Sequence, residues 1–136
     1  MSSAPVLDTH AWVWWVVGDT RLGRTTIEAL DALPVQTRPY VADISLWEVA
    51  LLVQRGRLEL TEPLEPWLEA AAHPRSVRLL PITPAVADEV AQLPETLVRD
   101  PADRLIVSTC RALNLPLLSH DRRILQSRLV RPWKIQ

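Results

Sequence analysis

The sequence predicts an α/β layered fold whose strands run parallel. Two observations carry this. Short apolar segments alternate along the chain with segments of helical periodicity. The stretch between successive apolar segments is also a helical one, which is the crossover that parallel strands need. At 136 residues and 48% hydrophobic composition, the chain is most simply one domain over 1–136, with a sizeable core.

Each element has its own signal. Residues 4–7 (APVL) read as a short buried strand, and residues 10–17 as a helix ending at Gly18-Asp19. Residues 24–33 (RTTIEALDAL) have helical periodicity and stop before Pro34. Residues 39–43 (PYVAD) suggest a second strand. Ser45 opens a helix through about Arg55, with Gly56 as its stop. Helices follow over Pro63 to Ala72 and Pro84 to Gln92, with a strand between them over Val77 to Ile82. Pro101 to Leu113 is a strong amphipathic helix. Leu115 to Leu118 is an apolar strand, and residues 129–135 are expected to add a last one.

Composition sets limits on function. No run of about 18 apolar residues exists, so no membrane span is expected. The N-terminus lacks a signal-type charged and apolar region. Cys110 is the sole cysteine and has no intrachain partner, which fits a reducing, cytoplasmic setting. Net charge is −1, so bulk charge does not advertise nucleic-acid binding. Its distribution is uneven: residues 99–136 carry a net +5 and residues 1–98 a net −6. The basic segment is either a solvated face or a phosphate-contacting surface.

Carboxylates stand at the ends of the predicted elements, where open parallel sheets collect ligands. Asp8 follows the first strand and Asp121 the strand "PLLS". Glu48 and Asp103 fall in the first turns of helices, where the helix dipole favours negative charge. Three of the four have local explanations. Ser45-x-x-Glu48 has the form of a capping box. Asp100-Pro101-Ala102-Asp103 reads as N-cap, proline at the first helical position and acid at the third. Asp121 suits the cap of a short helix "RRILQS". No comparable cap explains Asp8, whose burial needs a partner, a metal or a function. Together the four carboxylates would meet at one sheet edge and repel one another unless cations bind. Mg²⁺ or Mn²⁺ prefers such oxygen ligands. His10, His73, His120 and Cys110 lack zinc-ligand spacing.

The stretches "VLDTHAWVWW", "ISLWEVALLVQRGRLEL" and "DPADRLIVSTCRALNLPLLSHD" resemble, in order, the signatures of PIN-domain ribonucleases. More narrowly, they resemble the VapC toxins of bacterial toxin–antitoxin pairs. The resemblance implies an α/β/α sandwich with a central parallel sheet. It implies an Mg²⁺- or Mn²⁺-dependent endoribonuclease that cleaves RNA with a metal-activated water, a cognate VapB-type antitoxin and a homodimer. The family's acids correspond to Asp8, Glu48, Asp103 and Asp121, and its Ser/Thr near the metal to Thr9 and Ser119. "DPADR" offers two acids three apart; Asp103 suits the ligand and Asp100 the cap, but both share a helix face and the reverse assignment stays open.

Rival readings fit less well. An aspartyl phosphatase wants a second acid two residues after the first, where this chain has His10. A phosphoacceptor receiver needs a lysine after a late strand, and Lys134 is the only lysine. A catalytically degenerate PIN domain that binds RNA or protein is the non-enzymatic alternative. Trp12 and Trp15, three apart, read as a core or partner-facing stripe.

Overall fold

The computed structural model describes residues 4–95 and 100–135. Four parallel strands form the sheet: β1 (Val6–Leu7), β2 (Tyr40–Ala42), β3 (Arg78–Leu80) and β4 (Leu117–Leu118), in the order β3-β2-β1-β4. The helices between them are α1 (Thr9–Val17), α2 (Arg24–Asp31), α3 (Ile44–Gln54), α4 (Leu64–Ala71), α5 (Pro84–Gln92), α6 (Pro101–Leu113) and α7 (Arg122–Gln126). The alternation read from sequence therefore gives the α/β arrangement expected, with helices on both faces of the sheet.

Successive strand residues point to opposite faces, and both faces are buried. Leu7, Val41 and Leu118 join one core with Trp12, Leu22, Leu30 and Trp67. Val6, Ala42 and Leu117 join the other with Ile106, Val107 and Ile124. This two-sided burial is why the strands are continuously apolar rather than alternating. Trp12 is fully buried, stands edge-on to Trp67 at 6.0 Å and donates its indole N–H to Ala71 O at 3.2 Å. Trp15 is half-buried and donates to Asp31 instead, so the predicted stripe belongs to the core and its edge.

Two local readings are corrected. Residues 129–135 form no further strand: they give one parallel bridge, Leu117 to Pro132, closed by Leu117 N to Arg131 O and Trp133 N to Leu117 O. Pro132 has no N–H with which to extend a ladder. The helix after β2 starts at Ile44, not Ser45, and its N-cap Asp43 makes no side-chain capping bond. Ser45 therefore lies inside the helix, fully buried, and Ser45-x-x-Glu48 is no capping box.

Because all strands point one way, their C-terminal ends share an edge. Asp8 follows β1 there, with its N–H on Leu118 O at 3.1 Å, and α1 and α3 begin at the same edge. That edge positions the site.

Candidate metal centre

Asp8 sits at the β1–α1 junction and is 8% exposed. It does serve as a cap, contrary to the sequence expectation: its Oδ1 accepts from Ala11 N at 2.9 Å. The turn into α1 is too short to leave another residue for that role. One backbone bond does not satisfy a buried carboxylate, and burial pushes its proton affinity up, opposed by hydrogen bonds from Ser119 and Ala11 N–H and by the charges of His10 and His120.

Glu48 lies one helical turn into α3. With the capping box gone, its position needs another reason. Its Oε1 is buried without a hydrogen-bond partner. Burial raises its pKa, a hydrogen bond from Thr9 lowers it, and the charge of Asp100 raises it again. Thr9 and Ser45 are themselves buried and their hydroxyls lie 2.9 Å apart.

Asp100 is the predicted cap of α6: its Oδ1 accepts from Asp103 N at 3.1 Å. Asp103, one turn on, is half-buried. Burial pushes its carboxyl up to about 7, helped by the charges of Asp100, Glu48, Asp8 and Asp121. Asp121 caps α7, as expected, through Oδ1 to Arg123 N at 2.9 Å.

Glu48, Asp100 and Asp103 each offer an oxygen, and the three oxygens lie within 4.8 Å of one another. Oxygens on opposite sides of one Mg²⁺ at its usual bond length stand about 4.2 Å apart. Neighbouring oxygens on such an ion stand about 3 Å apart, so the three would draw together onto it, and Glu48 has a buried oxygen without a hydrogen-bond partner. The residues thus fit a hard divalent ion. Both members of the ambiguous pair join the cluster, so the structure places Asp100 and Asp103 together rather than choosing between them. Asp8 and Asp121 border the same cavity, of about 650 Å³, without belonging to the closest trio.

The cavity also has a face without acids. Trp14 is packed edge-on by His120 at 5.6 Å and lies 5.9 Å from His10, with the Arg21 guanidinium 5.1 Å from its ring centre. Opposite in character, Trp47, Leu51, Leu52, Arg55 and Arg57 line the part supplied by α3 and the turn after it. The basic segment contributes less than its charge suggests. Its Arg99 lies outside the described residues. Arg111 pairs with Glu89 at 2.8 Å, Arg131 bonds Asn114 O at 3.0 Å, and Arg104 bonds Pro94 O and Val90 O. Of its cations, Arg123 reaches the cavity. Arg55 and Arg57 were not singled out from the sequence; the signal was the spacing of 47, 51 and 55, which places Trp47, Leu51 and Arg55 on one face of the helix that carries Glu48.

A parallel sheet wrapped by helices, with acids from the starts of α1, α3, α6 and α7 lining one cavity at the strand ends, defines a class. The PIN domain family model matches residues 6–129, and the chain belongs to that family. Over 127 residues, spanning 93% of this chain and 94% of the relative, it is 35% identical to Ribonuclease VapC22 of Mycobacterium tuberculosis (strain ATCC 25618 / H37Rv). The fold is shared with solved structures of low identity. A toxin–antitoxin complex from Klebsiella pneumoniae has a chain that superposes with TM-score 0.65 at 18% identity, covering 93% of this chain and 95% of that one. VapBC2 from Rickettsia felis, bound to a DNA fragment from its promoter, gives TM-score 0.71 at 15% identity, covering 96% and 99%.

Proposed function

We propose that this chain is an Mg²⁺- or Mn²⁺-dependent endoribonuclease, the toxin of a VapBC-type pair, acting in the cytoplasm as one PIN domain. The observation that carries the reading is the convergence of Glu48, Asp100 and Asp103 within 4.8 Å around a buried, unpaired carboxylate oxygen. The family membership and the 35% identical ribonuclease support the reaction class. The toxin–antitoxin complexes among its fold neighbours support the assignment of a VapB-type antitoxin, and the family resemblance of the sequence is the ground for a homodimer.

In this reading Glu48, Asp100 and Asp103 hold the ion, and Asp8 and Asp121 complete the negative pole of the cavity. When bound, the ion supplies Lewis-acid activation of water and neutralises charge on the scissile phosphate. The chain's own groups prepare that event. Thr9 favours the ionised form of Glu48. The cap bond from Asp103 N–H fixes the Asp100 carboxylate at the helix start. Asp103 holds a proton near neutrality that it gives up when a cation arrives. Ser119 and Ala11 N–H orient Asp8.

The test is cleavage of single-stranded and structured RNA by the purified chain in Mg²⁺ or Mn²⁺, with the product ends determined. Wild type is expected to leave 5′-phosphate ends, and Asp8→Asn to be inactive yet folded, since Asn keeps the α1 cap. Wild-type rates from Asp8→Asn, or metal-independent cleavage, would overturn the assignment.

A further inference from the structure

We infer that the Trp47, Arg55 and Arg57 face of the cavity is a binding subsite for the RNA strand beside the cleaved phosphodiester. The inference rests on the ribonuclease reading and adds where the substrate lies. Trp47 is 48% exposed, and among the described residues no ring or hydrogen-bonding group packs against its indole. A tryptophan left this open beside a polar cavity is a stacking surface for a base, which binds through its π-face whatever its identity. Trp14, by contrast, already has His10, His120 and Arg21 on its ring.

The cations complete the subsite. Arg55 and Arg57 are exposed, and neither has an acidic or hydrogen-bonding side-chain partner among the described residues. Gly56 between them adopts φ +71, and Arg57 N–H turns back to Leu52 O at 2.9 Å, so both arginines gather at the end of α3. Arg55 lies seven residues beyond Glu48, about 10 Å along the axis at the helical rise. The helix and the turn after it therefore present, in order, the aromatic Trp47 beside Glu48, an apolar step at Leu51 and Leu52, and two guanidinium groups without a side-chain partner among the described residues. Next to a pole of carboxylates, this is the charge order a phosphodiester chain needs: the reacting phosphate over the acids with their cation, a neighbouring base on Trp47, and a neighbouring phosphate on the arginines. An acidic protein segment would match the arginines but brings no base to stack on the open Trp47 ring, so the observations favour RNA.

The experiment is single-turnover cleavage of a short single-stranded RNA in Mn²⁺, with enzyme in excess, at several salt concentrations. Arg55→Gln/Arg57→Gln should raise the enzyme concentration for half-maximal rate at least tenfold, and leave the maximal rate within about threefold. It should also reduce the salt-dependence slope by about 0.7, the value for one phosphate contact on a single strand. Trp47→Ala should raise the half-maximal concentration at least fivefold with the slope unchanged, and Trp47→Phe should recover most of that loss. Arg24→Gln/Arg75→Gln, exposed residues outside this cavity, removes the same charge and should change neither quantity. Equal loss in that control would make the effect one of net charge and overturn the subsite. So would wild-type behaviour of the Arg55/Arg57 pair or of Trp47→Ala, including the case where these variants lose only binding to a protein partner. If wild type itself neither binds nor cleaves RNA, the ribonuclease reading falls first, and the subsite with it.

Discussion

The hydroxyls of Thr9 and Ser45, 36 residues apart in sequence, meet at 2.9 Å with both residues buried. Either hydroxyl can donate in this pair, and Thr9 also lowers the pKa of Glu48 through a side-chain hydrogen bond. The link joins the first residue of α1 to the second of α3, one turn before Glu48.

Ser45→Ala should weaken Mn²⁺ binding about tenfold, the low end for groups that orient a metal ligand. Thr9→Val should do at least as much, and the double variant little more than Thr9→Val alone, because both changes break one chain. Calorimetric Mn²⁺ titration of the four proteins checks this. Additive losses would mean that Ser45 acts through packing alone.

Of the two acids at the start of α6, Asp103→Asn should damage cleavage more than Asp100→Asn. Asp100→Asn removes one ligand but keeps a good cap. Asp103→Asn removes the half-buried acid that is coupled to all four of its neighbours. Rates for both variants across an Mn²⁺ titration decide the order; an inactive Asp100→Asn beside an active Asp103→Asn reverses the assignment.

Stability without metal should fall as pH rises from about 4 to about 7. Asp103 binds its proton up to about 7 in the folded chain, against the ordinary 3.8 in the unfolded one. Within that window the folded state holds more protons, so unfolding becomes easier with each step up in pH. Asp8 and Glu48, also raised, act in the same direction. Thermal melts in EDTA at pH 5 and pH 7.5 should show the decline, and Asp103→Asn should flatten it.

Divalent ions should reverse that trend. A ligand of the native state stabilises by mass action, about 2.7 kcal/mol at one hundred times its dissociation constant. The ion also displaces protons, so its apparent affinity climbs through pH 7. Melting temperatures in Mn²⁺ against sodium salt of equal ionic strength test this. An unchanged midpoint across the titration would remove the metal site.

Trp12→Ala should cost about 3–5 kcal/mol, the usual range for truncating a buried aromatic side chain, because its ring fills the core against Trp67 and its N–H has Ala71 O. Trp47→Ala should leave the denaturant midpoint nearly unchanged. Urea unfolding of both separates the core tryptophan from the exposed one.

Much of this molecule was legible in one dimension. The order of strands and helices follows from local periodicity, and a helix crossover between short apolar segments leaves little choice but a parallel sheet. Parallel strands with apolar ends in turn send Asp8, Glu48, Asp103 and Asp121 to one edge. The caps at Asp100 and Asp121 were readable because a cap and its helix are neighbours in sequence.

What the tertiary structure decided is everything that depends on distance between segments. It turned Ser45 from a supposed cap into a partner of Thr9, since the helix begins one residue earlier and its second position faces α1. It showed Asp8 to be both a cap and a buried acid. It drew both Asp100 and Asp103 to Glu48, a grouping that spans more than fifty residues of chain. It also added Arg55 and Arg57 at the end of α3 to the cavity beside Arg123, while Arg104, Arg111 and Arg131 of the basic segment are engaged by neighbouring helices and loops. Charge counted along a sequence is blind to pairing, because a guanidinium's partner is chosen by the fold.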